Sequence, residues 1–223
     1  MGFFTRTLAA VLLVILSPIF IIISFLSLLF QGSPVIFKQE RIGFNHLPFI
    51  FYKFRTMING NSGNKITDSA DKRITIWGKL LRELKLDELP QLWNIVKGDI
   101  NFVGYRPEVP VIVKSFPQYF LFLSNSKPGL TDISSIIFKN ESQIIDSDNP
   151  MEFYTTCILP LKSNLAVLFL EKDSLLLRFI IIIFTGISIF SHRIALKVTS
   201  SLIPKNNHEL RSSINNLLKV ESF

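Results

Sequence analysis

Residues Leu8–Phe30 read LAAVLLVILSPIFIIISFLSLLF, in which 19 of 23 side chains are apolar and only Ser17, Pro18, Ser24 and Ser27 interrupt them. As one straight helix the run would rise about 35 Å, enough to cross a hydrocarbon core of about 30 Å. It is longer than the apolar region of a signal peptide, and the Gln31-Gly32-Ser33-Pro34 turn that follows is not a small-residue cleavage site. The run is therefore expected to stay in the mature protein. Pro18 sits at its middle, where it removes a helical hydrogen bond and clashes with the preceding turn, so a kink is predicted at Ser17-Pro18. A kinked single-span anchor fits these residues, because membrane helices tolerate proline. Residues 31–115 carry 13 Lys or Arg, against Arg6 alone before the run, which places the part after the helix on the cytoplasmic side.

The rest of the composition agrees with a membrane element attached to a folded domain. The 223 residues hold 24 basic and 17 acidic side chains, a formal charge of +7. Mean hydropathy is +0.37, and the charged fraction is 18% where soluble domains average about 25%. The single Cys157 cannot form an internal disulfide, and the 21 Phe exclude a disordered chain.

Residues 34–56 alternate with period two around a polar turn at Gly43-Phe44-Asn45-His46, which predicts a β-hairpin. In its second strand Phe49, Phe51, Lys53 and Arg55 share one face, and Ile50, Tyr52 and Phe54 the other. Residues 58–71 read as a loop. An amphipathic helix follows, with Ile74, Trp77, Leu80, Leu81 and Leu84 on one stripe. The stripe suits a membrane interface and a domain core equally. A short helix carries Leu89, Leu92, Trp93 and Val96 and stops at Gly98. Extended or loop structure is expected to about residue 150, then a helix near Met151–Leu159. Leu175–Phe190 has 12 apolar residues in 16, short for a span, and is read as a buried or interfacial helix. The tail after Pro204 is polar, basic and peripheral.

Chemistry concentrates where the two central helices meet, at Leu86-Asp87-Glu88-Leu89-Pro90-Gln91. The plain reading, favoured by local pattern alone, has Asp87 cap the second helix and Glu88 complement its dipole. Alternatively, an ionised carboxylate beside another can attack phosphorus or hold a divalent metal. Lys53, Arg55, Arg73, Arg82 and Arg106 could together neutralise a diphosphate, since guanidinium groups grip phosphate through two bonds. There is no phosphate-cradling or dinucleotide glycine loop, and the three separated histidines argue against zinc. The basic charge is spread along the chain with no binding motif, so no nucleic-acid partner is expected.

Four segments resemble the bacterial sugar transferase family, the monotopic phosphoglycosyl transferases: PVIFKQERIG (Pro34–Gly43), FYKFRTM (Phe51–Met57), DKRIT (Asp71–Thr75) and LDELPQLWNIVKGD (Leu86–Asp99). The resemblance runs from about residue 5 to 190, and the short N-terminus is similar to the family's minimal members. It implies an α+β membrane-associated fold with a re-entrant helix broken at Ser17-Pro18, a β-hairpin, and interfacial helices in a compact cytoplasmic domain. The expected division is a membrane helix over 1–32, the transferase domain over 33–203 and the tail over 204–223. The implied reaction moves a sugar 1-phosphate from a UDP-sugar to undecaprenyl phosphate, releasing UMP and starting assembly of a lipid-linked glycan. In that scheme Asp87 is the nucleophile and a ligand of Mg²⁺, Glu88 assists, and Arg82 binds phosphate. Partners implied are the UDP-sugar, undecaprenyl phosphate and membrane lipid, with a second copy of the chain or downstream glycosyltransferases beside them. The place implied is the cytoplasmic face of the bacterial inner membrane. The family's Gly-Pro-Arg-Pro stands here as Gly104-Tyr105-Arg106-Pro107, and Asp132 replaces a frequent glycine. A noncatalytic scaffold anchored to the membrane is the alternative from another class.

Overall fold

A computed structural model describes residues 2–58, 71, 73–145 and 149–220, with side chains as far as 217. The chain divides into two compact units. The first draws its described residues from Met1–Gly60, Lys72–Pro117 and Leu123–Leu130, the second from Asn61–Asp71, Gln118–Phe122 and Thr131–Phe223.

In the first unit the apolar run forms two helices, α1 (Gly2–Ile15) and α2 (Ser17–Gln31), bent by 60° at the break between them. The cause is local. Pro18 has no N–H for the Val14 carbonyl, and the Ser17 hydroxyl donates to that carbonyl instead at 2.8 Å. Proline then lies in the first turn of α2, where a missing N–H is tolerated. Gly32, at a positive φ of 69°, ends α2, and its N–H donates to the Leu28 carbonyl.

Strands β1 (Ile36–Ile42) and β2 (Pro48–Phe54) pair antiparallel from Ile36↔Phe54 to Ile42↔Pro48, as the period-two pattern predicts. Their turn uses left-handed backbone at Asn45 and His46. Helix α1 supplies Ala9 to a core with Phe51, Leu92, Ile95 and Ile100, whereas α2 supplies Ile23 to a second with Phe54 and Leu81. Both faces of β2 are therefore covered, and the bend lets successive helices serve different cores.

Helix α3 (Ile76–Glu83) begins at Thr75, whose hydroxyl accepts from Gly78 N–H. It starts later than the predicted stripe, because Ile74 is held in a bridge to Met57. Leu81 is fully buried and the Trp77 indole donates to Ser27 at 2.9 Å, while Ile76, Leu80 and Leu84 are exposed. The stripe is thus split between core and surface. Gly78 lies against the Thr56 carbonyl so closely that a Cβ would overlap it. Helix α4 (Gln91–Lys97) ends at Gly98, with φ 84°, as predicted. Beyond it β3 (Asn101–Val103) pairs with β4 (Gly129–Thr131), and α5 (Pro110–Ser115) lies against β1. Of the loop predicted over 58–71, residues 59–70 lie outside the described part.

The second unit is helical. Residues 133–144, expected to be extended or loop, form α6 (Ile133–Ile137) and α7 (Glu141–Ile144). The Asp132 carboxylate explains the first of these by accepting from Ser135 N–H at the helix start. The helix predicted near Met151–Leu159 runs on to Glu171, through α8 (Pro150–Phe153), a π-helical stretch at Tyr154–Ile158 and α9 (Leu159–Glu171). Pro150–Glu171 is the one unbent helix among the described residues long and apolar enough to cross a membrane, and half of it is buried within the protein. Helix α10 (Leu175–Phe190) carries an exposed apolar surface that includes Leu175, Leu176, Phe179 and Phe190. Helices α11 (His192–Leu202) and α12 (His208–Val220) complete the unit. The tail is not merely peripheral, since Leu210 and Ile214 of α12 are buried.

Candidate functional site

The carboxylate pair stands on a single 3₁₀ turn, Leu86–Glu88, between α3 and α4. Lys85 enters that turn in the left-handed conformation, with φ 58°. Such a backbone is uncommon for a residue with a Cβ, and here it turns the chain sharply between the two helices. Pro90, not Asp87, occupies the cap of α4, and no side chain caps that helix. The capping role favoured by local pattern for Asp87 is therefore replaced by burial: the residue is 5% exposed.

Cations from distant parts of the first unit meet the pair. Lys53 Nζ, from β2, lies 3.2 Å from Glu88 Oε1 and 3.7 Å from Asp87 Oδ2, bridging the two carboxylates. Arg106 grips Glu88 with both terminal nitrogens, at 2.5 Å to Oε1 and 3.4 Å to Oε2. The segment carrying Arg106 is itself anchored. Ile42 N–H donates to the Glu108 carbonyl, and Arg41 pairs with the Glu108 carboxylate at 2.9 Å and donates to the Pro107 carbonyl. Tyr105 is buried, and its carbonyl accepts from Gly129 N–H. Gly104 and Gly129 approach each other so closely there that a Cβ on either would overlap backbone.

The neighbours are tuned in opposite directions. Burial pushes the Asp87 carboxyl above its ordinary value, against the pull of Lys53. Burial acts on Glu88 in the same sense, but Arg106 and Lys53 outweigh it and hold that carboxyl well below the usual range. Burial also lowers the Lys53 ammonium, opposed by both carboxylates. Glu88 is thus a fixed anion locked to two cations, and Asp87 is the less committed carboxylate.

The expected cations do not all converge. Arg82 donates from Nε to the Thr56 hydroxyl at 2.8 Å, and its charge is felt at Asp87. Arg55 was expected to share a face with Lys53, but β2 ends at Phe54. Its guanidinium turns instead to the carbonyls of Gln31, Gly32 at 2.6 Å and Ser33 at 3.2 Å, capping the C-terminus of α2. Arg73 precedes the Met57–Ile74 bridge, and its carbonyl accepts from Ile58 N–H. Lys85 was missed by sequence reasoning, although its charge acts on Asp87, Glu88 and Lys53. Its place two residues before Asp87 was the available signal.

The family model described as "Bacterial sugar transferase" matches residues 2–192. This chain belongs to the bacterial sugar transferase family. Among curated relatives, the sugar transferase is 41% identical over 111 residues to a Bacillus subtilis (strain 168) protein named as an uncharacterized sugar transferase, EpsL, covering 49% of this chain and 54% of that one. It is 33% identical over 136 residues to the UDP-N-acetylgalactosamine-undecaprenyl-phosphate N-acetylgalactosaminephosphotransferase of Aeromonas hydrophila, covering 58% and 32%. It is also 33% identical over 133 residues to the UDP-glucose:undecaprenyl-phosphate glucose-1-phosphate transferase of Klebsiella pneumoniae, covering 57% and 29%. The sugar transferase therefore spans about half the length of the first of these relatives and about a third of the other two.

Proposed function

We propose that this sugar transferase moves a sugar 1-phosphate from a UDP-sugar to undecaprenyl phosphate, releasing UMP and starting a lipid-linked glycan. The observation that carries the reading is a buried Asp87 beside a Glu88 immobilised by Lys53 and Arg106. The names of the Aeromonas and Klebsiella relatives supply the substrate class. In this scheme an oxygen of ionised Asp87 attacks the sugar-bearing phosphorus, the bond from that phosphorus to the UMP oxygen breaks, and UMP leaves. The resulting aspartyl phosphosugar is then attacked by an oxygen of the lipid phosphate, which frees Asp87. Lys53 and Arg82 offset the charge of the incoming diphosphate, while Arg106 keeps Glu88 from competing for the same position.

Among the described residues no cluster of three or more metal-binding side chains is present. A lone Asp87 carboxylate beside a committed Glu88 nevertheless fits Mg²⁺, which takes one or two protein carboxylates and completes its shell with water and phosphate. When bound, Mg²⁺ would neutralise phosphate charge.

The same reading places the chain on the cytoplasmic face of the inner membrane, with α1 and α2 entering and leaving by one leaflet. The 60° bend and the exposed Phe3, Phe4, Ile21, Ile22, Phe25 and Phe30 support it. Two experiments test the proposal. Purified protein with Mg²⁺, undecaprenyl phosphate and a panel of UDP-sugars should release UMP with at least one donor, and Asp87→Asn should release none. UMP release by no donor, or equal release by Asp87→Asn, sinks the reaction. For the topology, a cysteine placed at Gly2 should resist an impermeant thiol reagent applied to intact cells; efficient labelling from outside sinks the re-entrant path.

A further inference from the structure

The outer edge of β2 carries a side chain where another strand would lie. Ile50↔Glu40 and Tyr52↔Lys38 alternate with the pairs whose main-chain groups face β1, so the Ile50 carbonyl and the Tyr52 N–H point away from the hairpin. Both are met by one residue of α4. Asn94 Oδ1 accepts from Tyr52 N–H at 3.2 Å, and Asn94 Nδ2 donates to the Ile50 carbonyl at 2.6 Å. A carboxamide has the donor and acceptor of a peptide group, and here it takes the place that the N–H and C=O of one residue of a parallel third strand would fill. Asn94 is completely buried, and its Nδ2 also donates to Asp99 Oδ2 at 3.0 Å, which fixes which end of the amide faces which backbone group. A buried polar group with all its bonds made holds one arrangement, because any shift leaves strong donors and acceptors unpaired.

Lys53 is the next residue along β2 from Tyr52, and Asp87 and Glu88 lie on the turn that leads into α4. The Lys53 bridge spans these two elements, and the Asn94 carboxamide pins them together on the same strand edge. We propose that Asn94 is a positioning residue of the candidate site, setting the register of α4 on β2 and with it the reach of Lys53 to the Asp87–Glu88 pair. Its role in activity rests on the phosphotransfer reading; its role in the geometry does not. Asn94 touches neither carboxylate and acts only through the elements that carry them. Displacement of about 1 Å at a reacting group lowers turnover by up to about a hundredfold.

A zero-length carbodiimide, which joins an amine directly to a touching carboxylate, reads the geometry without any assay of activity. In the full-length wild-type protein, peptide mapping should find a Lys53–Glu88 link, from the 3.2 Å pair, and a Lys162–Glu141 link, from the 2.5 Å pair of the second unit. The second link reports the folding of the second unit. Asn94→Ala should lose the Lys53–Glu88 link about tenfold and keep the other. Its kcat should fall by about ten- to a hundredfold with KM within about twofold, as for other residues that orient a reacting group. Asn94→Ser, whose hydroxyl can still serve one of the two backbone groups, should fall between wild type and alanine in both readouts, and decides the matter if the alanine variant loses the folding link. A Lys53–Glu88 link that survives in every folded variant overturns the proposal. If wild type itself releases no UMP, the phosphotransfer reading fails while the crosslink still decides the role of Asn94.

Discussion

Asp87 and Glu88 are adjacent in the chain and opposite in behaviour, and the difference follows from what each one touches. Glu88 holds Arg106 and Lys53, so it is ionised at any ordinary pH, whereas burial makes Asp87 keep its proton to a higher pH than a free carboxylate. Ionised Asp87 accumulates as pH rises through that raised value. The acid limb of single-turnover UMP release should therefore lie above the ordinary aspartate value of about 3.9. Lys53→Met should move the limb further upward, because Lys53 is the strongest influence holding Asp87 down; a pH series on the two proteins checks this. Glu88 makes the converse prediction for stability. Its folded value is depressed, so its contribution is present above the unfolded value of about 4.3 and fades as pH falls through the folded one. Glu88→Gln should cost about 2 kcal/mol in denaturant unfolding at neutral pH, through the weakened bonds to Arg106 and Lys53, with the gap from wild type closing in acid. At this scale the sequence exposed the carboxylates and the supply of cations, but not their pairing. Arg55 and Lys53 have the same charge and neighbouring positions, and only the end of β2 at Phe54 sends one to the site and the other to the carbonyls of α2.

Elements with a local cause were the ones legible in advance. The hairpin followed from alternation, the end of α4 from Gly98, and the break of the apolar run from Ser17-Pro18. Where long-range packing decides, residue spacing alone does not fix the element. Ile74 fits the stripe of α3 by spacing yet is drawn into a bridge with Met57, and the helical course of 159–171 depends on burying Leu161, Leu165, Leu168 and Phe169 within the second unit. The break itself can be tested as an element. Pro18→Ala restores an N–H for the Val14 carbonyl and removes the ring clash, so α1 and α2 should join into one straight helix. On the proposed membrane seat, the cysteine at Gly2 then becomes accessible from outside in cells carrying this change, and unchanged protection would show that the proline does not set the path.

At the scale of the whole molecule, apolar surface is distributed unevenly. Buried side chains of the first unit come mainly from the hairpin and α3–α5, whereas α1 and α2 bury only Ala9, Ile23 and Ser27 and expose most of the rest. Apolar patches of that extent mark surfaces meant for another phase or partner. The full chain should float with lipid vesicles in a density gradient. Replacing Ile22 and Phe25 by Asp should release it while leaving the core residues of α2 untouched, since both side chains are more than half exposed. Retention of that double variant on vesicles would locate the attachment elsewhere, with α10 the next apolar surface.

Arg55 gives this arrangement a mechanical consequence. Its guanidinium clasps the end of α2, and Lys53 stands two residues earlier, just inside the end of β2, about 7 Å away along an extended backbone. With α2 seated in a bilayer, that short rigid tie acts as a depth gauge. On the proposed reaction it would fix the height of the carboxylate pair above the leaflet, so that a phosphate carried on a lipid tail would meet it at the headgroup level.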